Sequence, residues 1–148
     1  MNELNVFLEQ QLKLDEDHLN LLSVFHFVGA AFAFLGILFL FGHYYLMSHF
    51  VLRHINSTQN PNGVVLFTNI FTIFKWVYLA LGIWFAFSGI LNLMSGLWLR
   101  VRKNRTFSIV IAVIDFLHVP LGTILGAFTL SVLARSSVKE LYETNQTK

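Results

Sequence analysis

The sequence predicts an all-α integral membrane protein: a bundle of three long transmembrane helices, with a fourth span open, behind an amphipathic N-terminal helix. Three observations carry that expectation. Of 148 residues, 55% are hydrophobic and 12% charged, about half the charge of an average soluble domain. Mean hydropathy is +0.63. Long Leu, Ile, Val and Phe runs, with 16 Phe in all, are punctuated by Gly and Ala and bounded by Trp, Tyr, Lys and Arg, the residues that anchor helices at membrane interfaces. Soluble enzyme classes fall away on this composition, and with no Cys the chain has no disulfide, thiol nucleophile or Cys-bound metal.

Residues 1–18 place Leu4, Leu8 and Leu12 in a loose helical stripe and hold Glu3, Glu9, Asp15, Glu16 and Asp17 against Lys13. They read as an acidic amphipathic helix on the cytoplasmic side, without the basic start of a signal peptide. Its charge suits packing on a neighbouring subunit or on a basic loop better than contact with anionic lipid. The first span, about 19–41, runs into the headgroup-level cluster Gly42, His43, Tyr44 and Tyr45. Residues 46–75 are expected as a loop or re-entrant segment. Within it, 64–74 is apolar but carries Thr68, Asn69 and Thr72, so an N-terminal extension of the second helix is the preferred reading. The second span, about 76–99, is anchored by Lys75 and Trp76 at one end and by Trp98 and Arg100 at the other.

The third span, about 107–134, lies between Arg105 and Arg135, and its 28 residues exceed the ~20 that cross a ~30 Å hydrocarbon core. Pro120 offers a kink. Two pieces divided there would each be too short to cross, so arithmetic favours one tilted or kinked span. Residues 135–148 form a polar tail that keeps helical spacing at Val138, Leu141 and Tyr142 before it frays.

Arg100, Arg102, Lys103 and Arg105 put four positive charges into six residues, which assigns their loop to the cytoplasm. With three spans the N-terminus is inside and both the 60–63 loop and the C-terminus are outside, in a multi-pass protein of the cell inner membrane. The basic patch is too small to suggest nucleic acid.

Polar side chains inside spans are costly and turn toward protein or water. Asp115 is the one acidic residue within a span, and His118 follows at i+3. Asn92, Ser88, His26 and Ser23 fall into the same band, roughly 5–20 Å from the inner surface at ~1.5 Å per residue. Asp115, His118, His26, Asn92 and Ser88 therefore read either as a hydrogen-bonded knot that fixes helix register, at ~0.6–2 kcal/mol per contact, or as a proton or ion path. The knot is preferred. Two histidines on different helices can also ligate haem, but these spacings do not point to it, and no cofactor is expected. His43, His49 and His54, six and five residues apart, do not share a helix face and read as surface or interface residues, with no metal site.

Small residues form stripes suited to close helix approach. Gly82, Gly89 and Gly96 recur every seven residues with Ala86 among them, Gly29, Ala33 and Gly36 do so on the first helix, and Gly122 and Gly126 make a GxxxG on the third. The stretch Pro120 to Gly126 reads as packing, not as a phosphate loop.

The run from Leu14 to Val28, the basic turn at 100–105, and the run from Val119 to Leu133 followed by Ser137, Val138 and Lys139 resemble a widespread family of small uncharacterised bacterial integral membrane proteins. The resemblance covers both ends of the chain and weakens between about 42 and 80. It implies a bacterial membrane location and brings no activity, cofactor or catalytic residue. The functional expectation is a non-enzymatic structural or accessory subunit that self-assembles as a homo-oligomer or docks on a larger membrane complex. The alternative is a small oligomeric proton or cation channel or transporter using Asp115 and His118.

Overall fold

The computed structural model describes residues 3–57, 61–116 and 121–146. Among these the chain is all-α, with five helices and no strand: α1 (Glu3–Ser57), α2 (Pro61–Val101), α3 (Arg105–Phe116), α4 (Leu121–Leu133) and α5 (Ser136–Gln146). Two helices, α1 and α2, are long and apolar enough to cross a membrane, with hydropathies of 2.4 and 1.8 in their apolar stretches.

Three boundaries differ from the sequence reading. The N-terminal amphipathic segment and the first span are one continuous helix, because neither Gly nor Pro interrupts residues 3–28. Of residues 46–75, expected as a loop or re-entrant segment, 46–57 and 61–75 are helical. α1 continues to Ser57 and α2 starts at Pro61, where proline's missing N–H costs nothing at a first helical position. Residues 64–74 lie within α2, so the preferred reading of that stretch, an N-terminal extension of the second helix, holds as helix.

The third difference is the largest. The 28-residue span expected over 107–134 is two helices folded back on each other, on either side of residues 117–120. Thr123 Oγ1 donates to Phe116 O at 2.9 Å. Arg105 Nε donates to Leu133 O at 3.0 Å, joining the start of α3 to the end of α4. Between those points, an added Cβ at Gly126 would lie 2.3 Å from Ala112 O. Glycine at 126 is what lets the two backbones meet. Each helix, at 12 and 13 residues, is roughly 18–20 Å long.

The described residues divide into two compact units, Met1–Ala30 with Ile90–Lys148, and Ala31–Gly89. In the first unit, α1 and α2 run antiparallel, and α3, α4 and α5 complete the packing. Its apolar core gathers Leu19, Leu22, Leu99, Val132, Leu133, Val138 and Tyr142. In the second, the remaining parts of α1 and α2 pair through rings: an added Cβ at Gly36 would lie 3.2 Å from the Phe85 ring, and Tyr44 stacks on Phe71 with ring centroids 5.6 Å apart.

The α2–α3 connection turns in three residues. Lys103 N bonds Trp98 O at 3.0 Å and Arg102 N bonds Leu99 O at 3.3 Å, the paired closure of a Schellman C-cap. Arg102, at φ 54°, occupies the left-handed position usually given to glycine. Asn104, at φ 51°, is of a type that tolerates this region, and its carbonyl accepts from Phe107 N at 2.9 Å to begin α3.

Candidate functional site

The first unit contains a buried polar chain with one member from each of four helices. Asn92 Nδ2 on α2 donates to Asp115 Oδ1 on α3 at 2.8 Å. Its amide oxygen, 2.7 Å from His26 Nδ1 on α1, therefore accepts from that ring nitrogen. The neutral ring then has Nε2 as its acceptor, 3.3 Å from Thr129 Oγ1 on α4. The donors run in one direction, Thr129 to His26 to Asn92 to Asp115. His26 Nδ1 also lies 3.5 Å from Asp115 Oδ2. The four side chains are between 0% and 6% exposed, so their mutual bonds replace those that water would make.

Local sequence makes room for this chain. An added Cβ at Gly29 would lie 3.4 Å from Asn92 Oδ1, in ordinary contact, so the α1 backbone runs directly beside the amide. One turn below, Ser23 Oγ donates to Gly96 O at 2.7 Å, and an added Cβ at Gly96 would lie 2.9 Å from the Phe27 ring.

Of the expected cluster, the structure joins Asp115, Asn92 and His26. Ser88 belongs to the second unit, and His118 lies outside the described residues. Among the described residues, the imidazole beside Asp115 is that of His26. Thr129 was missed, since a threonine in an apolar helix ordinarily bonds its own backbone. Its spacing of three residues from Gly126 was the available signal.

The small-residue stripes divide. Gly96, Gly126 and Gly29 sit at contacts, Gly36 faces Phe85, Gly89 is buried and Gly122 half-buried. Gly82 departs from expectation: nothing lies within 4 Å of its added Cβ, because the stripe turns away from a single partner helix over fourteen residues. The three histidines go to aromatic neighbours. His43 bonds Tyr78 Oη, His49 stacks on Tyr45 and His54 meets Phe67 edge-on.

A second polar cluster includes the expected packing of the acidic segment on the basic loop and adds a tie through Asp15 that was not read from the sequence. Asp15, 4% exposed, accepts from Arg135 Nη1 at 2.7 Å and from Ser137 Oγ, which ties α1 to the start of α5. Beside it, Arg102 meets Glu16 at 3.1 Å, so the acidic segment packs on the basic turn. Arg100 and Lys103 remain exposed, and Arg105 caps α4. The tie returns the C-terminal helix to the end of the unit that holds the basic turn. Burial in the adjoining core pushes the Tyr142 hydroxyl up to about 12, against the pull of Arg105 and Arg102.

Fold and site define a class and nothing narrower: an all-α chain with two helices able to cross a membrane and a polar chain buried among four helices. No protein-family model, curated protein or solved structure matches it.

Proposed function

We propose that this is a multi-pass integral membrane protein with a non-enzymatic, structural or accessory role, as its resemblance to small bacterial inner-membrane proteins implies. In this reading α1 and α2 cross the bilayer, and α3 with α4 forms a hairpin that enters it only partway from the cytoplasmic side. The observation that carries it is the inversion of polarity. Leu38, Phe39 and Phe41 are 68%, 70% and 74% exposed, whereas His26, Asn92, Asp115 and Thr129 are buried. Water would penalise such a surface, and lipid would not. A carboxylate facing lipid costs ~2.5–3.5 kcal/mol on the insertion scale, a cost avoided when Asn92 and His26 surround it. The polar chain then welds the hairpin onto the two crossing helices, leaving the outer faces for a second copy or a larger membrane complex.

Orientation tests this. Three spans would put the C-terminus outside, whereas two spans plus a hairpin put both termini in the cytoplasm. A C-terminal reporter active only in the cytoplasm is the expected result, and one active only outside would overturn the hairpin. Resistance to alkaline carbonate extraction tests the membrane location itself.

One observation favours the second reading, a proton or cation conductor: the imidazole of His26 lies 3.5 Å from the Asp115 carboxylate. With Asp115→Asn the accessory reading expects an intact fold and unchanged assembly, because an amide keeps size and hydrogen bonding. Wild-type liposomes that pass protons or cations, and lose that flux on this substitution, would favour the conductor.

A further inference from the structure

The second unit holds a cavity of about 390 Å³ between its stretches of α1 and α2, open on one side. Its wall is aromatic, with Phe50 from α1 and Phe67, Phe71 and Phe74 from α2, and its polar groups are His43 and Tyr78. These two are joined by a hydrogen bond through His43 Nδ1 and stack with ring centroids 5.7 Å apart. Size, aromatic lining and a polar anchor at one place are the features of small-molecule sites.

We infer that this cavity binds an uncharged, lipid-soluble ring compound carrying a hydrogen-bond acceptor, of which a quinone head is the simplest form. No charged side chain lines the cavity, which disfavours a phospholipid headgroup. Four phenylalanine rings in the lining favour a flat ring over a flexible acyl chain, since offset or edge-on ring contacts add attraction beyond burial. The His43–Tyr78 pair supplies one directed contact. With Nδ1 engaged by Tyr78, His43 Nε2 is left for a ligand, and in the tautomer protonated there it donates to a carbonyl oxygen while Tyr78 holds the ring in place. The surrounding faces of both helices are apolar and exposed, Phe74 at 52% and Phe50 at 67% among them, so a ligand reaches the cavity from lipid and not from water.

The test uses the full chain in phosphatidylcholine nanodiscs with 13C-labelled methionine methyls. The chain has 3 Met. Met47 lines the cavity, whereas Met94 belongs to the other unit and serves as an internal control. The probes are menadione and its carbonyl-free counterpart 2-methylnaphthalene, and the chain has no Cys with which the quinone could react as a thiol. Expected is a saturable Met47 shift with menadione at an affinity at least about fivefold above that of 2-methylnaphthalene, the worth of one net hydrogen bond of ~1 kcal/mol. Tyr78→Phe, which keeps the ring, should narrow that preference without moving the Met94 signal.

Equal affinities for the two probes in the unaltered protein, or no saturable shift at Met47, would overturn the inference, and this comparison stands even where the variant unfolds. The inference rests on the membrane reading. A chain that does not incorporate into nanodiscs fails both, and a chain that incorporates but does not discriminate between the probes fails this one alone.

Discussion

Gly126→Ala is the smallest change that probes the α3–α4 hairpin. An ideal Cβ at 126 lies 2.3 Å from Ala112 O, 2.8 Å from Phe116 N and 3.1 Å from Phe116 Cα. All three neighbours are backbone, so no rotamer change relieves the overlap. The helices must part by about 1 Å to restore ordinary contact near 3.5 Å. Overpacking of this kind costs ~1–3 kcal/mol, and with two rigid backbones the upper end applies. Alanine returns ~1 kcal/mol of helix propensity, leaving a net loss of about 2 kcal/mol. At ~2–4 °C per kcal/mol for a chain near this size, the unfolding midpoint should fall by about 4–8 °C. Gly82→Ala is the matched control, since open space there leaves only the propensity gain. Circular dichroism melts in one detergent compare the two variants with wild type. A Gly126→Ala protein that melts with Gly82→Ala, at or above wild type, would refute the packing of α3 on α4.

Tyr142→Phe removes a buried hydroxyl that lacks a hydrogen-bond partner and whose pKa rises from 10.0 to about 12 because of burial. The unfolded chain releases that proton near pH 10 and the folded chain holds it to about 12, so stability complete below pH 10 is lost as pH rises through this window, by ~2–3 kcal/mol. The variant should match or exceed wild type at neutral pH and lose less between pH 10 and 12; equal alkaline losses would count against it. Arg135→Ala leaves buried Asp15 with Ser137 and should loosen α5, at a cost between the ~0–1 kcal/mol of an exposed pair and the ~3–5 kcal/mol of a buried one. Faster tryptic cleavage after Lys139 is the expected readout, and an unchanged rate would show that α5 is held elsewhere.

The sequence made the all-α class and the apolar stretches of α1 and α2 legible, along with the members of the polar chain whose cost in lipid is plain. Asp115, Asn92 and His26 could be grouped by depth alone. The fold-back at 117–120 escaped because hydropathy is the same whether a run of apolar residues crosses a membrane or doubles back within it. Length arithmetic then assumed that every apolar helix must reach the far side. A hairpin that packs on other helices escapes that rule, because non-crossing backbone is tolerated at membrane depth where protein covers it. Gly126 was noticed as part of a packing motif, and its bare backbone is where α4 meets α3; the kink expected at Pro120 lies outside the described residues. The Asp15, Arg135 and Ser137 tie was invisible for a different reason. Charges at the ends of apolar runs look like solvated flanks, and only the return of α4 brings residue 135 beside residue 15.

The placement of Asp115 has a consequence for biogenesis. Its partners, His26 and Asn92, precede it in the chain and leave the ribosome first. If the chain inserts as proposed, two helices already offer the carboxylate an imidazole and an amide when it reaches the bilayer, so it need never face hydrocarbon alone. Had the acid been on the first helix and its partners on the last, an unpaired charge would have waited in the membrane through most of synthesis. Closure of the second cluster waits longer still, until Arg135 and Ser137 emerge to meet Asp15, which Arg135 follows by 120 residues.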